Sequence, residues 1–395
     1  VGYFENQIPL LKPWIDDDEL GEVQEVLRSG WISQGRKVKE FEDGVAAFVG
    51  APYAVATNSA TSALHLAFQL SGLARGDRVV VPAHTCMATA NAIILAGGVP
   101  VFADINPRTF NMEPDCAEAV MDGSVRAITV VHQIGLPADI DGFRALAAKH
   151  NVFLVEDAAT AFGAKYRGRF LGSHGNPTVY SLHPRKMITT GEGGLVTLFD
   201  AEWDERARRL RSAGASISDL RRHDAKGTLQ QDYPEPGYNY RLTDIQAAVG
   251  IAQLRKAQRM LDMRAEQARY YDAALGEIDE VLPPYVPEYA THCYSSYCIT
   301  IPKANGAIIT GILEHMAECG VSCRRGIQSL CLEPYFRQQH KNDVLPHTDQ
   351  AAEQTMFLPI FPGLTREQQA HVVASLKGAI ARHAARGRVQ AAGTK

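Results

Sequence analysis

Seven short apolar runs, at residues 53–57, 78–81, 99–103, 127–131, 152–155, 178–181 and 194–198, limit what this chain can fold into more than any other feature. Each is too short for a buried helix, several are rich in β-branched side chains, and helical patterns separate them, as expected of strands covered on both faces. They predict an α/β fold: a mostly parallel seven-stranded sheet flanked by helices. Three helices have readable limits. The first covers 17–29, with Leu20, Val23, Val26 and Leu27 on one face and Gly30 as terminator; another starts near Ala60 and ends before Gly72. A third begins at Thr243, which has capping-box spacing to Gln246, and continues through Ile245, Ala248, Val249 and Ala252.

A chain of 395 residues exceeds the roughly 250 to 300 at which single cores stop growing, so two domains are expected. The division is placed near residue 255, giving a large domain over 1–255 and a smaller C-terminal α/β domain over 256–395, with a strand near 297–301 and a Pro/Gly turn at 359–363. The small, polar and basic tail from Ala384 reads as a frayed helix end. Forty basic and 44 acidic side chains leave a net charge of -4, which argues against a nucleic-acid or membrane-surface partner; an anionic ligand would need a local site. Seven cysteines at irregular spacing, with no CxxC pair, predict a reduced cytoplasmic protein. The start has no basic segment followed by an apolar stretch, and no run approaches the ~18 apolar residues of a membrane span, so neither a leader nor a membrane partner is expected. Cys319 and Cys323 lack histidines at zinc spacing, and no metal is expected.

Chemistry concentrates after the sixth run. Lys186 stands in Tyr180-Ser181-Leu182-His183-Pro184-Arg185-Lys186-Met187-Ile188-Thr189-Thr190-Gly191-Glu192-Gly193-Gly194, and Glu156-Asp157 directly follow the fifth run. Parallel sheets hold ligands at the carboxyl ends of their strands, where both residues fall. A lysine amine that can condense with an aldehyde, and a carboxylate that can keep a pyridine nitrogen protonated, make the layout of a pyridoxal 5'-phosphate site.

Further blocks extend the pattern from Ile8 to about Ala379: Ser29-Gly30-Trp31-Ile32-Ser33-Gln34-Gly35, Ala88-Thr89-Ala90-Asn91-Ala92, Gly237-Tyr238-Asn239-Tyr240-Arg241-Leu242-Thr243-Asp244 and Leu358-Pro359-Ile360-Phe361-Pro362-Gly363. In joint order and spacing they resemble the DegT/DnrJ/EryC1/StrS family of aminotransferases, similar in fold to aspartate aminotransferase, the fold type I of pyridoxal phosphate enzymes. The resemblance implies two half-reactions, in which an amino acid (L-glutamate or L-glutamine) yields its amino group and a keto sugar, mostly nucleotide-linked, takes it up. Lys186 would form the Schiff base and shuttle the proton, and Asp157 would bond the pyridine nitrogen.

A helix start suits the cofactor's phosphate, and Asn58-Ser59-Ala60-Thr61-Ser62 provides one, with Ala60 where relatives usually have glycine. Thr61, Ser62 and Ser181 are the expected phosphate donors. Asn239 matches an asparagine that in the family reaches the neighbouring subunit's phosphate, which implies a homodimer with shared sites. Two positions depart from the family pattern: Cys86 stands where many relatives stack an aromatic ring on the pyridine, and Thr160 where they carry Gln or His. Trp31, His183, Arg241, Arg324 and Arg325 are candidates for substrate, since guanidinium groups suit carboxylates and diphosphates alike; Arg324 and Arg325 read equally well as a solvated pair. Alternatives are a keto-cyclitol acceptor, a sugar dehydratase and a non-catalytic regulator. Relatives that dehydrate typically carry His at the Lys186 position, which speaks against that chemistry here.

Overall fold

A computed structural model of the protein describes residues 7–217 and 230–392, with side chains as far as His383. The end of the tail expected to fray lies outside the described residues. The strands of the main sheet are β1 (Tyr53–Thr57), β2 (Arg78–Pro82), β3 (Val99–Ala103), β4 (Val125–Val131), β5 (Phe153–Asp157), β8 (Thr178–Ser181) and β9 (Gly194–Leu198); a small hairpin, β6 (Lys165–Tyr166) and β7 (Arg169–Phe170), intervenes. Their spatial order is β1-β9-β8-β5-β4-β2-β3. β9 runs antiparallel to β1 and β8, and β8, β5, β4, β2 and β3 run parallel. All seven expected runs are strands, and Asp157 is the last residue of the central strand, in register with Val131 and Val179.

The helix Asp17–Ser29 ends at Gly30 with φ 73°, a left-handed cap that glycine adopts without strain. Its expected apolar face is buried only in part: Val26 is buried and Val23 half-buried, but the two leucines are not. Leu20 and Leu27 are 65% and 57% exposed, and the helix packs through Val26 and Glu19. Glu19 closes the capping box with Asp16 N and, once buried, accepts from Gln253 Nε2 at 2.7 Å and Lys256 Nζ at 2.9 Å. An ion pair that secures this helix to Asp244–Leu275 has displaced the leucines outward. The helix Arg36–Val49, which the sequence reading missed, buries Val38, Phe41, Val45 and Val49. Its Glu42 accepts from Ala56 N at 2.8 Å and pairs with Arg208 and Arg211, which fastens it to β1.

Thr243 caps the helix Asp244–Leu275 in the expected box with Gln246. Its 32 residues extend about 48 Å, and residue 255 lies within them without a break. Ala247, Ile251, Ala257, Met260 and Leu261 pack into the core of the large sheet, whereas Ala268, Tyr271 and Leu275 belong to a second core. That second core includes β11 (Tyr297–Thr300) and β13 (Thr355–Leu358); β13 lies between β11 and the short β12 (Arg324–Arg325), antiparallel to both. β10 (Ala290–Thr291) extends the β6–β7 hairpin. Among the described residues, no helix is long and apolar enough to cross a membrane.

Candidate active site

A cavity of about 480 Å³ opens over the carboxyl ends of the central strands, and Thr61, Cys86, Asp157, Thr160, Ser181, His183, Lys186 and Arg324 all line it. Asp157 forms its floor, 4% exposed. Its Oδ2 accepts from Thr89 Oγ1 at 2.7 Å and its Oδ1 from Ala159 N at 3.0 Å, while Thr85 Oγ1 lies 3.2 Å from Thr89 Oγ1. Burial raises the pKa of this carboxyl, against the lowering effect of both bonds and of Lys186.

Lys186 stands on the loop 182–193 between β8 and β9. Leu182 and Gly193 close the loop through a 2.9 Å backbone bond, Thr190 N donates back to Leu182 O at 3.0 Å, and Lys186 N donates to His183 O at 2.8 Å. Burial lowers the pKa of the Lys186 amine; Cys86 and Asp157 oppose the shift, and Arg185 and Arg324 reinforce it. A buried lysine with a depressed pKa gives up its proton more readily, which frees the lone pair that attack on an aldehyde requires. His183 is also pushed down by burial, partly offset by Glu192, whose Oε1 lies 3.9 Å from His183 Nε2.

The helix Ala60–Leu70 points its start at the cavity, capped by Ser59, whose Oγ accepts from Ser62 N at 3.1 Å. Thr61 faces the cavity, whereas the Ser62 hydroxyl is turned to its own turn, donating to Asn58 Oδ1 at 2.7 Å. Gly194 lets β9 approach this start: a Cβ there would run into the Ser59 carbonyl and come within 2.5 Å of Ala60 N. Gly194→Ala should therefore displace the helix start, lowering stability by about 2 kcal/mol and weakening binding of pyridoxal phosphate about tenfold or more. A melt and a cofactor titration measure the two effects; unchanged affinity would remove the helix start from the phosphate site.

Cys86 precedes the helix Met87–Leu95 and exposes its thiol to the cavity. Thr160 lines the cavity but donates its hydroxyl to His132 O at 3.1 Å. Successive strand residues face opposite ways, and that separates the arginine pair. Arg324 faces the cavity with its guanidinium 5.2 Å over the Phe357 ring. Arg325 turns to the helix Gly306–Glu318, donating to Gly306 O and Thr310 Oγ1, so it is not brought to the site and the two are not a solvated pair. Trp31, Asn239 and Arg241 lie outside this lining. Trp31 Nε1 donates to Gln34 O at 3.1 Å. The two segments meet at Asp244, whose carboxylate accepts from Gly35, Lys37 and Val38 N.

Sequence reasoning missed Thr89, Thr85, Gln133 and Arg185. Thr89 belongs to a block that carried the family resemblance, yet no local signal discloses its bond to an aspartate 68 positions on. Arg185 looked like half of a basic loop.

A lysine amine, a buried carboxylate and a helix start that Gly194 allows β9 to approach form a set that fits pyridoxal phosphate. Fold and cleft together define a pyridoxal phosphate-dependent aminotransferase of fold type I. Residues 13–377 match the sequence model of the DegT/DnrJ/EryC1/StrS aminotransferase family, and the chain belongs to that family. It is 33% identical over 377 residues to the spore coat polysaccharide biosynthesis protein SpsC of Bacillus subtilis (strain 168), covering 94% of this chain and 96% of SpsC. Among solved structures, the aminotransferase TlmJ from Streptoalloteichus hindustanus superposes with a TM-score of 0.87 at 29% identity, over 95% of this chain and 100% of TlmJ. The sugar aminotransferase CalS13 from Micromonospora echinospora does so with a TM-score of 0.85 at 30% identity, over 94% and 99%.

Proposed function

We propose that the protein transfers an amino group from L-glutamate or L-glutamine to a nucleotide-linked keto-deoxy sugar. The observation that carries this reading is one cavity joining a depressed lysine amine to a buried carboxylate, with His183 and Arg324 also in its lining to meet polar substrate groups. Likeness to a sugar aminotransferase and to a polysaccharide biosynthesis protein supports a sugar acceptor. When bound, pyridoxal phosphate supplies an aldehyde carbon for the amino group and a ring that withdraws electrons from the carbon losing its proton. Lys186 holds the cofactor through Nζ between turnovers and, once released, moves the proton to and from the donor's Cα. Asp157 keeps a proton on the ring nitrogen, and Thr89 and Ala159 N hold its carboxylate in place. Thr61, Ser181 and the N–H groups of the helix start take the phosphate, with Ser62 bracing that start; Cys86 and Thr160 flank the ring.

The reading includes a homodimer, in which the surface shared by Trp31, Asn239 and Arg241 completes the neighbour's cleft. Exposed Leu20, Leu27 and Ile32 support it as apolar surface for such a contact. Seven free thiols support a reducing, cytoplasmic setting. The division into domains belongs between Leu261 and Ala268, where the long helix passes from one core to the other.

Holoenzyme mixed with L-glutamate or L-glutamine should convert to the amine form of the cofactor, read by absorbance. A panel of nucleotide-linked keto sugars and keto cyclitols should then show, by mass spectrometry, which acceptor gains the amine. Amination of cyclitols alone would replace the sugar acceptor, water loss would make the protein a dehydratase, and cofactor binding without conversion would make it a regulator.

A further inference from the structure

Among the described residues, two cations of the cavity have no counter-ion. Arg185, on the loop that carries Lys186, and Arg324, at the start of β12, both line it with exposed side chains. Among the described residues, neither guanidinium has a carboxylate within ion-pair distance. The two carboxylates of the lining are placed elsewhere: Asp157 is bonded to Thr89 and Ala159 N, and Glu192 faces His183 at 3.9 Å. After burial, the charge of Arg185 is what most lowers the pKa of Arg324, and both arginines bear on the Lys186 amine. The Phe357 ring holds Arg324 in place from beneath. Two guanidinium groups that share a cleft, with no carboxylate paired to either and only Cys86 opposing the shift at Arg324, are unfavourable until a ligand brings negative charge. The helix start at Ser59 provides the cofactor's phosphate with its own donors, so that anion is already accounted for.

We propose that Arg185 and Arg324 form a two-guanidinium clamp for an oxyanion of the substrate, either the α-carboxylate of the amino donor or a phosphate of the acceptor. Planar guanidinium groups offer paired N–H donors that match both oxyanions, and two from separate elements fix the anion's orientation as well as its position. The loop supplies one and the C-terminal unit the other, so bound anion ties the two parts of the chain together across the cofactor. Which two anions come into question rests on the proposed function; the clamp itself does not.

The test uses holoenzyme, in which the cofactor occupies its own phosphate site, with Arg185→Gln, Arg324→Gln, Arg324→Lys and the double glutamine variant. Absorbance gives the rate of the donor half-reaction against L-glutamate concentration, and calorimetry gives binding of inorganic pyrophosphate as a probe. A rise of about tenfold or more in the half-saturating L-glutamate concentration in each glutamine variant, with the maximal rate within about threefold, supports the clamp and makes the carboxylate its ligand. A comparable loss of pyrophosphate binding with donor kinetics unchanged supports it and makes phosphate the ligand. Arg324→Lys should recover only part of the affinity, since it restores charge without the paired donors. Donor and pyrophosphate affinities both within about twofold of wild type, or lowered affinity for pyridoxal phosphate in their place, overturn the proposal. Neither measurement needs a keto sugar, so an unreactive acceptor panel would refute the proposed function and leave the clamp standing.

Discussion

Lys186→Ala should lower turnover by about 10³-fold or more, because one amine both carries the cofactor and moves the proton. Among the described residues no other lysine lines the cavity, so none of them takes over. Borohydride reduction of wild-type holoenzyme, followed by peptide mapping, should place the cofactor's mass on Lys186 and on no peptide of the variant. Lys186→Arg should fail equally, since a guanidinium stays charged and offers no free lone pair. Stability moves the other way. Burial holds the folded-state pKa of Lys186 below its ordinary value, so between the folded value and the ordinary one the unfolded chain binds the proton more readily and stability rises with pH; below that window the folded chain bears the full cost of the buried charge. Removing the amine relieves this, and the cofactor-free alanine variant should melt at or above the wild-type temperature at pH 7. Turnover within about tenfold of wild type would mean that Lys186 is a bystander, and a lower melting temperature would mean that its stem, not its amine, was the buried element.

The sheet was readable because every strand of the main layer is short, apolar and bounded by turn residues, and those signals are local. Gly30 and Thr243 announced helix ends for the same reason: a left-handed cap and a capping box are written in a few adjacent residues. The failures come from partners distant in sequence. Leu20 and Leu27 have helical spacing as good as any core face, but the Glu19 carboxylate meets Lys256 more than two hundred positions away and sets which side of the helix is buried. Arg324 and Arg325 cannot be told apart by composition; once they lie on β12, alternation sends one to the cavity and the other to a helix. Thr89 escaped notice because threonine in the first turn of a helix is common, and only the folded sheet brings its hydroxyl to Asp157. Lys186 and Asp157 were legible because each follows an apolar strand on the same edge of the sheet, where topology alone brings them together.

Asp157→Asn should lower turnover by about 10² to 10⁴-fold and yet raise the stability of the cofactor-free protein at neutral pH. Asparagine keeps the shape: its oxygen can accept from Ala159 N, and its amide can donate to Thr89 Oγ1, whose hydroxyl turns to Thr85 at 3.2 Å. What it loses is the negative charge opposite the ring nitrogen, and with it the means of keeping that nitrogen protonated as electrons enter the ring. The stability sign follows from the raised pKa. The folded carboxyl binds its proton more tightly than the unfolded one, so its contribution is fully present below the unfolded value and is lost as pH rises through the folded value. At pH 8, where the unfolded carboxyl is ionised, wild type therefore bears the cost of surroundings that disfavour its charge, whereas the asparagine variant has none. Melting temperatures of the cofactor-free proteins should favour the variant at pH 8, and the gap should close toward pH 4 as the wild-type carboxyl takes up its proton. Adding pyridoxal phosphate should reverse the order at pH 8, because wild type gains the ring-nitrogen contact and the variant does not. A variant less stable than wild type at pH 8 both with and without cofactor would make Asp157 chiefly a tie between β5 and the helix Met87–Leu95, and the charge would then have to reach the ring from another residue.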